Sequence, residues 1–208
     1  FIQISQQQRD SILFFTGWDK TQLTEQYTFK KAHPQVYFAF NALAKGSVVD
    51  VIADFLRIKN VSSFLVEIGG EIVAQGNSPK SKGLWKVAID DPQQGEERKL
   101  IQVLTLNNEA LATSGNYRKY SVNDKTGERW VHSINPKTGE AIPSLVLSAS
   151  VLAPDCITAD AYATALMVMP FERSKALIQS HPELEAYWIV SDSLGGVKEV
   201  FSKGFLKE

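Results

Sequence analysis

The chain has 208 residues, and its 22 Lys and Arg against 23 Asp and Glu give a formal net charge of −1. With 44% apolar and 22% charged residues, its composition is close to the globular average, which excludes a disordered or collagen-like chain. The lack of a cationic surplus disfavours nucleic-acid binding, and no apolar run approaches the roughly 18 residues of a membrane span. We therefore expect one globular unit over residues 1–208, with no nucleic-acid partner and no membrane span.

The first predicted elements are a helix and a hairpin. A broad apolar face indicates a helix over Ser47–Ile58, preceded by a turn at Lys45-Gly46. The β-rich stretches Ser63–Ile68 and Glu71–Gly76 flank the pair Gly69-Gly70, an arrangement typical of two strands joined by a glycine turn.

Short strands dominate the rest of the chain. Further strands are predicted at Leu84–Ile89, Lys99–Leu106, Leu111–Thr113, Tyr117–Val122, Val146–Val151, Ala186–Val190 and Val197–Phe201. Two more helices fit Thr158–Met169, with Thr158 as its N-cap, and Phe171–Ser180. Closely spaced turn signals separate the strands, so the predicted fold class is α+β, a mainly antiparallel sheet packed with helices.

Asp160 and Thr164 stand four residues apart in a predicted helix, so their side-chain oxygens project from the same helix face. A carboxylate and a hydroxyl are hard ligands that suit Mg²⁺, which commonly takes few protein ligands besides water and substrate phosphates. Two other roles fit the same spacing. Asp160 would complement the positive end of the helix, and Thr164 would bond back to a backbone carbonyl.

The segment Ala39–Gly46 leads into the first predicted helix. It places the Lys45 amine, a flexible glycine and unpaired helix N–H groups together, and such a place attracts phosphates. An ordinary capped helix start explains the same residues.

Two polar segments lie between predicted strands, at 113–117 and 131–139. His132 ends a predicted strand beside a Pro/Gly turn, where an imidazole can accept a proton near neutral pH. A structural or surface role is open for it as well. Cys156, the single cysteine of the chain, fits neither an internal disulfide nor a zinc pattern.

Five sequence blocks, in this order, resemble the ApbE family of FAD:protein FMN transferases. They are Asn41-Ala-Leu-Ala-Lys-Gly46 followed by Asp50, Phe64-Leu-Val-Glu-Ile-Gly-Gly-Glu71 with Gly76, Ala112-Thr-Ser-Gly-Asn-Tyr117, His132-Ser-Ile-Asn-Pro-Lys-Thr-Gly139 and Ala159-Asp-Ala-Tyr-Ala-Thr164. A closing Ser202-Lys-Gly-Phe205 also fits. The resemblance implies an ApbE-like, T-fold-related domain that binds FAD and Mg²⁺, cleaves the FAD pyrophosphate and attaches FMN to a Thr or Ser of a target flavoprotein.

The resemblance also implies roles for individual residues. His132 matches a histidine of the transfer step. Asp160, Thr164 and the position of Ala163 match Mg²⁺ ligands, and Ala42 would add its backbone carbonyl. The implied FAD-binding residues are Ala39, Asn41, Lys45, Gly70, Glu71, Thr113, Ser114, Gly115, Asn116, Ser133 and Ile134.

The sequence departs from the family pattern at several positions. Ala39 stands where many members carry an FAD-contacting aspartate, and Asn135 stands where an aspartate is common. Ala163 matches a position that is Asp in some members and Ala in many. Family members also carry more residues ahead of the segment 17–23, so the expected domain lacks the family's N-terminal portion.

The resemblance also implies a cellular location and partners for the protein. Members are often exported, as periplasmic or inner-membrane lipoproteins, and their targets include subunits of sodium-pumping NADH:quinone reductases and Rnf-type complexes. Two other functions are compatible with the same blocks. One is a Mg²⁺-dependent FAD pyrophosphatase that gives FMN and AMP, and the other is a non-catalytic flavin-binding paralogue.

Overall fold

The computed structural model of the chain describes residues 4–91, 99–115, 120–122, 129–131, 134–140, 146–191 and 196–206. Its helices are α1 Gln6–Phe14, α2 Asn41–Ile58, α3 Cys156–Val168 and α4 Phe171–Gln179, and a 3-10 turn covers Trp18–Lys20. Its strands are β1 Thr21–Leu23, β2 Phe29–Lys31, β3 Phe64–Ile68, β4 Glu71–Gln75, β5 Trp85–Asp90, β6 Leu100–Leu106, β7 Glu109–Gly115, β8 Tyr120–Val122, β9 Arg129–Val131, β10 Val146–Ala153, β11 Glu185–Ser191 and β12 Val197–Phe201.

A six-stranded antiparallel sheet, in the order β12-β11-β10-β7-β4-β3, is the centre of the fold. Successive side chains of a strand point to opposite faces, so each central strand contributes to two apolar cores. Val73 and Ala112 lie in the first core, whereas Ile72 and Leu111 lie in the second. The sheet with its helices confirms the predicted α+β class.

Helices α2 and α3 cover the first face of the sheet. Val49 and Ala53 of α2 and Ala159, Ala163 and Leu166 of α3 are fully buried there. Most of these side chains are small, which lets the two helices approach the sheet and each other closely. None of the helices in the described part of the chain is long and apolar enough to cross a membrane.

The β5–β6 ribbon and the C-terminal turn contribute to the second core. Phe205 is 1% exposed and packs against the Tyr187 ring, with the ring centroids 5.7 Å apart. Glu185 fixes the turn, because its carboxylate accepts hydrogen bonds from the Ser202 hydroxyl and from the Gly204 N–H. The closing Ser202–Phe205 block is therefore explained by packing at this end of the sheet.

The predicted hairpin is confirmed. Gly69 and Gly70 both have positive φ, at 62° and 98°, and they form the two-residue connection between the paired residues Ile68 and Glu71. A two-residue turn with positive φ at both positions matches the twist of the strands, and glycine adopts it without steric cost. Most other predicted strands of the described residues are present, although β7 and β10 are longer than predicted.

Two predictions about helix starts were wrong. Helix α2 begins at Asn41, so Lys45 and Gly46 lie inside the helix and form no turn. Helix α3 begins at Cys156, and its N-cap is Asp155, whose side chain accepts the Thr158 N–H at 2.8 Å. An N-cap carboxylate two residues before the apolar run satisfies the first N–H groups better than Thr158 would.

The first forty residues contain elements that periodicity did not predict. Helix α1 has no buried residue, so it lacks the apolar face by which helices are recognised. Its sequence signal is the capping box of Ser5 and Gln8, each of which bonds the backbone N–H of the other. Strands β1 and β2 pair with each other only and are mostly exposed.

Candidate active site

The crossing of α2 and α3 depends on the absence of a side chain at Gly46. A Cβ placed on this residue would lie 2.4 Å from the Cys156 carbonyl oxygen and 2.8 Å from the Ile157 Cα. Both atoms belong to the backbone, which cannot move aside without shifting the helix. Gly46 therefore sets the close approach of the two helices, and the flexibility predicted for it is not its role.

Asp50, one turn further along α2, binds the N-terminus of α3. Its two carboxylate oxygens accept the N–H groups of Cys156 and Ile157, at 2.9 and 2.8 Å. With Asp155 on Thr158, three of the first N–H groups of α3 are bonded to carboxylates. Sequence reasoning assigned Asp50 no role, and the spacing of Gly46 and Asp50 along one helix face was the signal.

Asp160 completes the connection between the helices in the opposite direction. It is 3% exposed, and its Oδ2 atom accepts the Gly46 N–H at 2.9 Å. In a regular helix this N–H points to the carbonyl oxygen of Ala42, four residues back. The Gly46 N–H thus relates the two groups, because the Asp160 carboxylate accepts it and the Ala42 carbonyl is its acceptor in regular helix geometry.

Thr164 lies one turn after Asp160 on α3 and faces the end of β7. Its hydroxyl is 3.2 Å from the Ser114 hydroxyl, which makes these two residues hydrogen-bond partners. Thr164 therefore does not need to bond back to its own helix, which was the alternative suggested by its spacing. Ala163 is fully buried beside them and brings no side-chain oxygen.

These oxygen groups fit Mg²⁺. The Asp160 carboxylate, the Thr164 hydroxyl and the Ala42 carbonyl are hard donors. Among the described residues, the Asp160 carboxylate accepts a hydrogen bond from the Gly46 N–H only. No three His, Cys, Asp or Glu side chains of the described residues are grouped for a metal. A Mg²⁺ ion would thus need water and substrate oxygens to complete six ligands, which is its usual mode of binding.

A buried ion pair lies beside these oxygens. Glu71 starts β4 with its side chain 1% exposed, and its Oε1 atom accepts a hydrogen bond from Lys45 Nζ. Burial raises the pKa of the Glu71 carboxyl above its usual value; the Lys45 ammonium opposes this shift, and the nearby Asp160 carboxylate adds to it. The Lys45 ammonium is thus bound to the buried Glu71 carboxylate, which lies near enough to Asp160 for the two negative charges to interact.

The glycine turn of the hairpin lies against this pair. A Cβ placed on Gly69 would be 3.7 Å from Lys45 Cδ and 3.8 Å from Glu71 Oε2. A Cβ on Gly70 would meet nothing within 4 Å, so this glycine is needed for its positive φ and not for space. The predicted residues Lys45, Gly70, Glu71, Asp160 and Thr164 thus come from three elements that meet at one end of the sheet.

Other predicted residues are less closely associated with this group. Thr113 points to the opposite face of the sheet, where its hydroxyl is 2.8 Å from Ser150. Gly115 ends β7 opposite Ser148 and is exposed. Ala39 and Asn41 are exposed at the start of α2.

Ile134 opens a short turn that packs on α1. It is 57% exposed, and the turn is held by Asn135, whose side chain accepts the Lys137 N–H at 2.9 Å. Asparagine keeps the oxygen that this bond needs, so the replacement of the family's aspartate is compatible with the turn. Arg9 of α1 binds Glu140 at 2.9 Å. The predicted residues Asn116, His132 and Ser133 lie outside the described residues.

Comparisons with known proteins agree with the sequence resemblance. The model of the ApbE family matches residues 3–188. Among curated relatives, the FAD:protein FMN transferase of Haemophilus influenzae is 38% identical over 186 residues, which are 88% of this chain and 53% of that protein. The FAD:protein FMN transferase of Vibrio cholerae is 38% identical over 181 residues, 87% of this chain and 52% of the relative.

Solved structures show the same relationship. The flavin transferase ApbE from Vibrio cholerae matches with a TM-score of 0.83 and 32% identity, over 98% of this chain and 62% of that one. The apo flavinyl transferase ApbE from Pseudomonas stutzeri matches with a TM-score of 0.82 and 29% identity, over 97% of this chain and 60% of that one. The chain spans about half the length of the curated relatives that it matches. Its sequence and its fold together show that the chain belongs to the ApbE family.

Proposed function

We propose that this chain carries the site of a Mg²⁺-dependent FAD:protein FMN transferase. The observation that supports the proposal is the hydrogen bond from the Gly46 N–H to the Asp160 carboxylate at the α2–α3 crossing, with the Thr164 hydroxyl one turn further along α3 and the Lys45–Glu71 ion pair formed by the residue next to Gly46. These groups combine hard oxygen donors with a cation, which is what a metal-bound pyrophosphate requires. The curated relatives have the name FAD:protein FMN transferase.

The reaction joins FMN to a protein hydroxyl. The hydroxyl oxygen of a Thr or Ser attacks the phosphorus of the FMN half of FAD, the bond from this phosphorus to the bridging oxygen breaks, and AMP leaves. The hydroxyl proton must pass to a base. Bound Mg²⁺ supplies charge neutralisation on the phosphate oxygens.

The chain's own residues would bind and orient the nucleotide. Lys45 is half exposed, so its ammonium can reach a phosphate while it remains near Glu71. Asp160 is held by the Gly46 N–H, which fixes one carboxylate oxygen and directs the other. His132, which follows β9 in the sequence, is the residue that we propose as the proton acceptor.

The acceptor and the location are also proposals. The names of the relatives give a protein as the acceptor of FMN. We propose a Thr or Ser of a flavoprotein, such as a redox-pump subunit exposed outside the cytoplasm. Export of this protein would place the two together, and the family resemblance is the support for it.

Mass spectrometry of a target protein tests the proposed function. The chain is incubated with FAD, MgCl₂ and a flavoprotein subunit that carries an acceptor threonine, and the target is expected to gain the mass of one FMN. A parallel reaction with a Thr→Ala target should gain none. If the target stays unmodified while FAD is converted to FMN and AMP, the activity is hydrolysis and the transfer proposal fails. Intact FAD would contradict both activities.

A further inference from the structure

Glu71 has a carboxylate oxygen without a partner. Its Oε1 atom binds Lys45, but its buried Oε2 atom has no hydrogen bond to any described residue. A buried carboxylate oxygen without a donor is costly, and a well-packed apolar side chain would fill the same position without that cost. This unfavourable environment suggests a role for Glu71 other than packing.

The position of Glu71 in β4 determines on which face of the sheet its carboxylate lies. It alternates with Ile72 along β4, and Ile72 belongs to the second core, so the carboxylate lies on the side of α2 and α3. On that side Lys45 is the cation that it binds, and the salt bridge joins residues 26 positions apart. The interaction therefore connects the first turns of α2 with the start of β4.

Lys45 by itself would have considerable freedom. Its side chain is 49% exposed and has four rotatable bonds, so an unbound ammonium would sample many positions in water. The Gly69 turn lies close to the stem of the side chain, since a Cβ on Gly69 would be 3.7 Å from Lys45 Cδ, and Glu71 binds the ammonium at its end. Glu71 therefore confines the ammonium at the start of β4.

We propose that Glu71 is a positioning residue that holds the Lys45 ammonium in place for the phosphates of the nucleotide. The inference rests on the proposed function and deepens it. An ammonium has three N–H donors, so Lys45 keeps one for Glu71 and offers the others to phosphate oxygens. Because the ammonium is already fixed, binding costs less side-chain entropy. Glu71 acts through Lys45 and does not touch the reacting atoms.

Nuclear magnetic resonance of the lysine ammonium groups tests the positioning without any ligand. A fixed ammonium exchanges its protons slowly enough to give a ¹H–¹⁵N signal, and we expect one that disappears in Lys45→Met. The signal should also disappear in Glu71→Gln. It should persist in Glu67→Gln, a matched control on the exposed side of the same hairpin. A Lys45 signal that survives in Glu71→Gln would overturn the inference.

Nucleotide binding tests the second half of the inference. Titration calorimetry with FAD and MgCl₂ is carried out on the wild-type chain, Glu71→Gln, Lys45→Met and the double variant. We expect Glu71→Gln to weaken binding about tenfold in the wild-type background and to have little further effect when Lys45 is already Met. Equal losses in both backgrounds would show that Glu71 acts on the fold alone. No FAD binding by the wild-type chain would contradict the proposed function but leave the ammonium result intact.

Discussion

The N-terminus of α3 lies against α2 at Gly46 and Asp50, and the N-termini of the two helices differ in their side-chain caps. The first N–H groups of α3 are bound by the carboxylates of Asp50 and Asp155. Helix α2 begins at Asn41; its N-cap residue Phe40 makes no side-chain hydrogen bond, its first turn has no acidic residue, and Lys45 lies in its second turn. Carboxylates of the protein therefore neutralise the positive potential at the start of α3, whereas the first turn of α2 has no such carboxylate.

Under the proposed function, this difference would let one site attract both a cation and a phosphate. Carboxylates at α3 would repel a phosphate but favour Mg²⁺ beside Asp160. The uncapped start of α2 and the Lys45 ammonium favour the phosphate. The crossing at Gly46 brings the start of α3 against the second turn of α2, and Asp160 accepts the Gly46 N–H across it.

The largest effect is expected for Asp160→Asn. The amide oxygen of Asn can still accept the Gly46 N–H, so the fold should be kept while the negative charge is lost. We expect FMN transfer to fall about 1,000-fold, equal to about 4 kcal/mol of transition-state stabilisation. The kcat/KM of the transfer reaction measures it. Asp155→Asn is the matched control, because Asn caps a helix as well as Asp does, and equal activity of both variants would contradict the role of Asp160.

Gly46→Ala should force α2 and α3 apart where they cross. The added Cβ would lie 2.4 Å from the Cys156 carbonyl oxygen and 2.8 Å from the Ile157 Cα, and both of these atoms belong to the backbone. We expect a loss of about 3 kcal/mol in the free energy of unfolding, measured by urea denaturation. Gly83→Ala provides the control, because a Cβ there meets only Ser81 O at 3.9 Å. A Gly46→Ala chain of wild-type stability would show that the helices need no such close approach.

Asp50→Ala should remove the carboxylate that bonds the first two N–H groups of α3. The N–H groups of Cys156 and Ile157 would lose their acceptors, and we expect destabilisation by about 2 kcal/mol. Asp50→Asn, which restores one acceptor oxygen, should recover about half of this loss. Urea denaturation of the two variants measures both values, and an unchanged midpoint in Asp50→Ala would contradict the capping role.

The smallest effect concerns the thiol at the start of α3. A helix N-terminus normally lowers the pKa of a cysteine, but burial and the carboxylates of Asp50, Glu71 and Asp160 raise the pKa of Cys156 to about 12. In the unfolded chain the Cys156 thiol has a pKa near the ordinary value of about 8.5. Unfolding is therefore favoured as the pH rises above that value.

Between pH 8.5 and 9.5 the wild-type chain should lose about 1 kcal/mol of stability more than Cys156→Ala does. Urea denaturation at several pH values measures the two slopes. Parallel slopes would contradict the raised pKa of Cys156, and with it the combined effect of burial and of the carboxylates at the start of α3.

Local signals in the sequence predicted much of this arrangement. The Gly69-Gly70 turn was recognised because a tight hairpin needs positive φ at both positions, and Asp160 and Thr164 were recognised by their helical spacing. Both features depend on residues that are near in sequence. The segment Ala39–Gly46 already indicated Lys45 as part of a helix start that attracts phosphates, and the resemblance to the ApbE family added Ala42 as a metal ligand through its backbone carbonyl.

The errors came from contacts between distant residues. Gly46 was interpreted as part of a turn because glycine disfavours helices, but its position is decided by Cys156, 110 residues later in the chain. Asp50 was given no role because its partners, the N–H groups of α3, are not visible in local periodicity. Thr113 was grouped with Ser114 by the resemblance; its side chain lies on the opposite face of the sheet, and its role in binding FAD stays a prediction.

Calorimetry of FAD binding with and without Mg²⁺ is the most direct test of the role proposed for Asp160 where α2 and α3 cross. We expect Mg²⁺ to tighten FAD binding to the wild-type chain and to Asp155→Asn, and to have no such effect on Asp160→Asn. The Asp160→Asn chain should still bind FAD weakly through α2 and Lys45. The same Mg²⁺ dependence in Asp160→Asn as in the wild-type chain would contradict the account.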